Sequence, residues 1–259
     1  MKWNTDDLLF STSLLPLLEP LFQRLAKDGA CVGLGFAGLA RRWYPVLRAG
    51  AGGPAQSGGP VSESVPVPGP PTPVQRTARW LLALAGWSVD LPWPPEPRGI
   101  IVVYPHTSNW DFVVGMLALL ATGLPAQWVG KDTLFRWPFG WLLRCLGGIP
   151  VNRREHTGFI EQLAAEFRHR SWMWLALAPE GTRARTEHWK SGFYHLALAA
   201  GVPVGLGFLD YGRRVAGVTS WLSLSGDQGQ DLARIRAFYA DKTGLHPALA
   251  GKIRLRDDI

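Results

Sequence analysis

The chain has 259 residues, 47% of them hydrophobic, which is enough for one cored domain with an appendage or for two small ones and excludes an intrinsically disordered chain. Its 27 Lys and Arg against 20 Asp and Glu leave a net charge of +7, which favours anionic partners: nucleic acid, a phosphate-bearing metabolite or an anionic membrane face. The two cysteines, Cys31 and Cys145, supply neither a disulfide framework nor a C-x-x-C spacing, so no metal site is expected and a reducing compartment is.

In chain order, Asp6 and Asp7 stand where a secretory signal needs positive charge, so export is not expected. Residues 8–26 fit an amphipathic helix. Gly33, Gly35 and Gly38 form a G-x-G-x-x-G, but a dinucleotide site also needs a strand before it and a completed βαβ unit after it. The chain instead enters a Gly- and Pro-rich segment, 50–73, which reads as a linker, so the glycines are read as loop or weak-helix residues. Residues 1–49 are expected to be a poorly ordered N-terminal extension and 74–259 the functional domain.

Within that domain, Trp80, Leu84 and Trp87 recur at helical spacing beside Arg76 and Arg79, which suits a helix over 75–87 lying on an interface or docked on the domain. The run 99–104 predicts a buried strand, followed by a helix from Trp110 to Ala121. Further strands are expected at 126–129, 149–152, 173–177, 203–210 and 215–224, with helices near 133–146, 157–170, 190–200 and 229–243. Strands alternating with helices predict an α/β fold with a central, largely parallel sheet flanked by helices. The weakly polar stretch from Phe112 to Ala126 falls short of the ~20 apolar residues a spanning helix needs, so membrane contact is expected to be peripheral. With 13 tryptophans, the chain has aromatics for such a surface as well as for a core; Trp137, Phe139 and Trp141 could serve either.

One short stretch carries chemistry. In "YPHTSNWDF", His106 follows the strand and Asp111 comes five positions later, about 140° away on a continuous helix. The two can meet only across a turn, and Pro105, Thr107, Ser108 and Asn109 supply one. Asp111 then falls in the first helical turn, where the dipole favours its charge and its carboxylate can turn back to the imidazole. An Asp on one ring nitrogen leaves the other to accept a proton, which makes His106 a candidate general base. No G-x-S-x-G elbow is present, and neither cysteine has a nucleophile context. For the pair alone, a histidine merely capping the strand and bonded to a nearby carboxylate is the favoured reading, and it is the rest of the chain that shifts the weight.

Four blocks in order carry a resemblance. "HTSNWD" (106–111), "GIPVNR" (148–153), "PEGTR" (179–183) and "GVPVGLGFLDY" (201–211) resemble the glycerolphosphate/lysophosphatidate acyltransferase superfamily over about residues 75 to 256, with wording like that of a bacterial subgroup. The resemblance implies a fatty acyl group moved from a thioester, acyl-CoA or acyl-carrier protein, to a lysophospholipid hydroxyl, 1-acylglycerol-3-phosphate being the first expectation. No other cofactor is implied. It makes His106 the base and Asp111 its orienting partner. Arg153 and Arg183 become phosphate ligands; Gly181 would let backbone N–H groups approach and Thr182 would be a donor. Glu180 would orient the acceptor or brace the arginines, and Lys131 would add charge near the same pocket or, as an equally open reading, be a solvated surface lysine. Arg154, Arg185 and Lys190 are expected to be solvated or to meet headgroups. The implied setting is cytoplasmic, on the inner face of the cell membrane, with the 75–87 helix and the 134–144 segment as membrane surfaces. Ala178 stands where the family usually has an aromatic before Pro-Glu-Gly-Thr, which bears on the acceptor. Lyso-ornithine lipid is an alternative acceptor, lacking the phosphate that both arginines would bind. A thioesterase and a non-catalytic lipid-binding protein are the rivals from other classes, and dispersed arginines without a binding motif argue against nucleic acid.

Overall fold

The first helix shows how local signals set the architecture. Pro73 has the fixed φ that suits the first helical position, and Thr72 before it closes a capping box: its hydroxyl accepts from Gln75 N at 3.2 Å while Gln75 Oε1 accepts from Thr72 N at 2.6 Å. Helix α1 therefore runs Pro73–Leu84, and Thr72 and Pro73 belong to it rather than to the linker expected over 50–73. The computed structural model describes residues 69–136, 140–151 and 159–256, all within one unit spanning Gly58–Ile259. The 8–26 helix, the 33–38 glycines, Cys31, most of the Gly/Pro-rich segment, Trp137, Phe139, Arg153 and Arg154 lie outside the described residues.

Ala78 and Leu82 turn inward from α1 onto helix α2 (Trp110–Thr122), and Gln75 Nε2 and Arg79 Nε donate to the Thr122 and Ala121 carbonyls at its C-terminal end. Two donors there satisfy carbonyls that the helix itself leaves open. The expected 75–87 helix stops short at Leu84 because Gly86, at φ 72°, turns the chain back. Trp87 consequently leaves the Trp80–Leu84 stripe and is buried, its ring edge-on to Tyr211 at 4.8 Å.

Seven strands form one sheet: β1 (Ser88–Asp90), β2 (Arg98–Val103), β3 (Ala126–Lys131), β4 (Gly148–Val151), β5 (Met173–Leu177), β6 (Val204–Asp210) and β7 (Val215–Leu222), in the order β1-β7-β6-β2-β5-β3-β4. From β6 through β4 every pairing is parallel; β7 returns antiparallel to β6, and β1 adds to β7. The expected α/β fold with a central, largely parallel sheet is thus the observed one. Alternation along β2 divides the core: Ile100 and Val102 pack on one face with Leu175, Val204 and Leu206, and Ile101 packs on the other with Trp128, Trp174 and Val218. Helices α4 (Phe159–His169), α5 (Gly192–Ala200) and α6 (Gln228–Tyr239) contribute Phe167, Phe193 and Tyr239 to the first face, while α1 and α2 cover the second.

Two elements depart from expectation. Strand β1 has no counterpart in the sequence pattern; it is three residues long and rests on a tertiary partner, Ser88 N donating to Arg214 O at 2.9 Å. The single helix expected over 133–146 is instead a 3-10 turn, Asp132–Phe135, and a separate helix α3, Gly140–Cys145. Arg136 is extended where that helix would have continued, and Gly140 comes so close to Phe135 that a Cβ would lie 1.9 Å from the Phe135 carbonyl oxygen. Among the described residues no helix is long and apolar enough to cross a membrane.

Candidate active site

Because β3, β5, β2 and β6 run parallel, the segments leaving their carboxyl ends gather along one edge of the sheet, where α/β folds place their ligands. His106 follows β2, Glu180 to Arg183 follow β5, Tyr211 follows β6 and Lys131 ends β3. The three central strands carry the groups that meet.

His106 Nδ1 lies 3.1 Å from Asp111 Oδ2; the imidazole side chain is 22% exposed and the carboxylate 1%. A carboxylate oxygen at that distance calls for the ring proton on Nδ1, which puts the imidazole lone pair on Nε2. The turn between them is closed by the same carboxylate, since Thr107 N and Ser108 N donate to Asp111 Oδ2 at 2.7 and 2.8 Å. Asp111 therefore serves as a cap from inside the first turn of α2. Asn109, at the N-cap position, makes no side-chain cap bond; its Oδ1 accepts from Arg183 Nη1 instead, joining the His-Asp turn to the loop after β5.

Glu180 is buried directly beneath this turn. Its Oε2 accepts from His106 N at 2.8 Å and its Oε1 from Gly251 N at 2.7 Å, so one carboxylate ties the histidine backbone to a C-terminal segment. Burial pushes the carboxyl above the ordinary glutamate range, and nearby Asp111 adds to this, although the two backbone donors and His106 pull the other way. Its observed contact is a brace on His106; neither hydrogen bond goes to an arginine.

The remaining residues singled out in the sequence are placed less uniformly. Gly181 sits at φ 64°, where a side chain is strained, but its own N–H donates to Ala178 O at 3.1 Å, so the glycine supplies a loop conformation rather than a donor of its own. Thr182 is exposed, and its hydroxyl oxygen accepts from Ala184 N at 3.2 Å, leaving the O–H to donate. Arg183 is half-buried beside Asn109. Lys131 is exposed at the same sheet edge, and among the described residues it is bonded to none of the other site groups. Arg153 lies outside the described residues. Sequence reading gave no site role to Asn109, which it took only as a turn residue, nor to Gly251 or Tyr211, whose hydroxyl donates to Asp111 Oδ1 at 2.8 Å. Tyr211 closes the fourth block and was legible as part of it; nothing local marks Gly251. Among the described residues no group of three or more His, Cys, Asp or Glu is placed to hold a metal ion.

Residues 94–205 match the family model described as "Acyltransferase". The chain is 33% identical over 137 residues to the 1-acyl-sn-glycerol-3-phosphate acyltransferase of Escherichia coli, covering 48% of this chain and 53% of that protein. The protein of the same name from Salmonella typhimurium is 33% identical over 135 residues, with the same coverage. The chain thus spans about half the length of the curated relatives it matches. A solved structure, the 1-acyl-sn-glycerophosphate (LPA) acyltransferase from Thermotoga maritima, superposes with a TM-score of 0.44 at 14% identity, covering 64% of this chain and 74% of that one. The segment that matches the family model contains the His106 turn and the 180–183 loop, so the likeness to acyltransferases falls on the part of the chain that holds the site.

Proposed function

We propose that this chain transfers a fatty acyl group from a thioester, acyl-CoA or acyl-carrier protein, to the free hydroxyl of a lysophospholipid, and that the acceptor is 1-acylglycerol-3-phosphate. The observation that carries the reading is the His106–Asp111 pair at 3.1 Å, on the carboxyl edge of the sheet, with the Nε2 lone pair left to act. The acceptor hydroxyl attacks the thioester carbonyl as its proton passes to Nε2. The buried Asp111 carboxylate stabilises the resulting imidazolium, and collapse of the tetrahedral adduct expels a thiolate that takes the proton back. A thioester is already activated, so no covalent enzyme intermediate is needed.

General-base help contributes ~10²–10⁴-fold, whereas an effective molarity of ~10⁵–10⁸ M is available from holding both substrates in place. Anchoring the acceptor therefore matters at least as much as the base. Arg183 beside Asn109, with Arg153 as its partner by resemblance, would hold the acceptor phosphate, and Lys131 adds charge at the same edge. A membrane surface on the inner face of the cell membrane is the setting this chemistry asks for. Trp80 and Leu84, 60% and 59% exposed on α1 with exposed Arg76 and Arg79 near them, support a peripheral contact there.

The test is acyl transfer by purified wild type and His106→Ala, with each donor and a panel of lysolipids, reading new lipid by mass spectrometry and free thiol together. The expected result is phosphatidate from wild type and a loss of ~10²–10⁴-fold in the variant. Equal product from both proteins would overturn the general-base role. Thiol release without new lipid would make the chain a thioesterase, and product only with an acceptor lacking phosphate would overturn the acceptor assignment.

A further inference from the structure

Asp111 is held by more than the imidazole it faces. Oδ2 accepts from Thr107 N and Ser108 N and lies beside His106 Nδ1, while Oδ1 accepts from the Tyr211 hydroxyl at 2.8 Å. The terminal torsion of an aspartate is soft, so contacts on one oxygen alone leave the carboxylate plane free to swing. A donor on the second oxygen removes that freedom. The donor is itself fixed independently of Asp111: the Tyr211 backbone N–H donates to Thr243 O at 2.8 Å, and the ring stands edge-on to buried Trp87 with centroids 4.8 Å apart and planes at 89°.

We propose that Tyr211 is a positioning residue for acyl transfer, its hydroxyl fixing the Asp111 carboxylate so that Oδ2 stays on His106 Nδ1 and Nε2 stays aimed at the acceptor hydroxyl. This assignment rests on the general-base reading of His106. The phenol's hydrogen bond goes to Asp111, through which it acts, joining the end of β6 to the turn after β2.

The experiment compares wild type, Tyr211→Phe and His106→Ala in the same acyl-transfer assay, together with melting curves and the low-field proton resonance of the His106 Nδ1–H. Phenylalanine keeps the ring against Trp87 and removes only the donor. The expected result for Tyr211→Phe is kcat lowered roughly tenfold, KM for both substrates within about twofold, and a displaced Nδ1–H resonance. A kcat within twofold of wild type with an unmoved resonance overturns the assignment, as does a loss confined to KM or to the melting temperature. If His106→Ala retains activity, the general-base reading falls and takes this one with it; if His106→Ala is inactive and Tyr211→Phe behaves as wild type, only the Tyr211 role falls. Should Tyr211→Phe not fold, 3-fluorotyrosine at position 211, a stronger donor of nearly the same shape, is expected to move the resonance the opposite way from loss of the donor. No movement would overturn the proposal.

Discussion

Glu180→Gln separates what a buried carboxylate does from what a polar side chain of the same shape can do. The carboxylate offers one oxygen to His106 N at 2.8 Å and the other to Gly251 N at 2.7 Å. An amide has a single acceptor, so whichever way it is flipped its NH2 group confronts one backbone N–H. The Gly251 bond is fully buried and the His106 bond only partly so; the amide oxygen is therefore expected to stay on Gly251, and the His106 backbone loses its anchor. Leaving a buried donor unmatched costs about 1–3 kcal/mol. Removing a carboxyl whose charged form burial disfavours offsets part of that, so the net loss should be about 1–2 kcal/mol, or roughly 2–8 °C in Tm for a domain of this size.

The pH dependence has a defined sign. A glutamate whose folded pKa lies above its unfolded value contributes most at low pH and loses stability as pH rises from ~4.3 to that raised value, because the unfolded chain ionises first. Glutamine has no such slope, so the gap between wild type and variant should narrow as pH climbs through that window. In turnover, a shift of the His106 backbone approaching 1 Å costs about 10²-fold, so kcat should fall ~10–100-fold with KM little changed. Thermal melting from pH 4 to 8 and single-substrate titrations in the acyl-transfer assay measure both. A variant with wild-type kcat and a Tm within about 1 °C at every pH would refute the reasoning.

The double variant Trp80→Ser, Leu84→Ser removes two side chains that are 60% and 59% exposed, and co-sedimentation with anionic vesicles is expected to weaken at least about tenfold while Tm changes by less than about 2 °C. Unchanged sedimentation would remove α1 from the membrane contact. Asp231→Asn tests a buried carboxyl away from the site. Burial alone would raise its pKa, but donors from the Ser225 and Gly226 backbone, the Ser225 hydroxyl and the Tyr194 hydroxyl outweigh this and hold it below the usual value. Its stabilisation is present above ~4 and lost as pH falls through the lowered pKa, so the variant should be less stable by about 1–3 kcal/mol at pH 7, with the gap closing below pH 4. Chemical denaturation at both pH values measures it.

Legibility followed separation along the chain. The His106–Asp111 contact could be read because the turn residues that close it lie between the two partners, so spacing and residue type carried the geometry. The contacts that finish the site cross 74 positions from Glu180 to His106, 71 from Glu180 to Gly251 and 100 from Tyr211 to Asp111. Each block was visible, but which of its atoms meet depends on the order β6-β2-β5, and nothing in the blocks states that order. Strand β1 and the burial of Trp87 escaped for the same reason: one depends on Arg214 O and the other on the Tyr211 ring, both far along the chain. The helix expected over 133–146 failed differently. Its apolar spacing was helical, but the extended backbone of Arg136 and the approach of Gly140 to Phe135 prevailed over the pattern.

The five-residue interval from His106 to Asp111 now has a physical reason. Had the aspartate stood four positions on, at 110, or six, at 112, it would point about 100° around α2 from the direction Asp111 takes, to one side or the other. At 111 a single oxygen reaches the Thr107 and Ser108 N–H groups and His106 Nδ1 together, so the carboxylate that orients the base is also the one that closes the turn. Orientation of the imidazole and formation of the α2 N-terminus are therefore one event. A substitution at Asp111 cannot remove the first without loosening the second, whereas loss of the Tyr211 hydroxyl leaves the turn's backbone bonds in place and releases only the second oxygen. Tyr211, rather than Asp111, is thus the position at which the hold on the proposed base can be weakened while the turn's own bonds are kept.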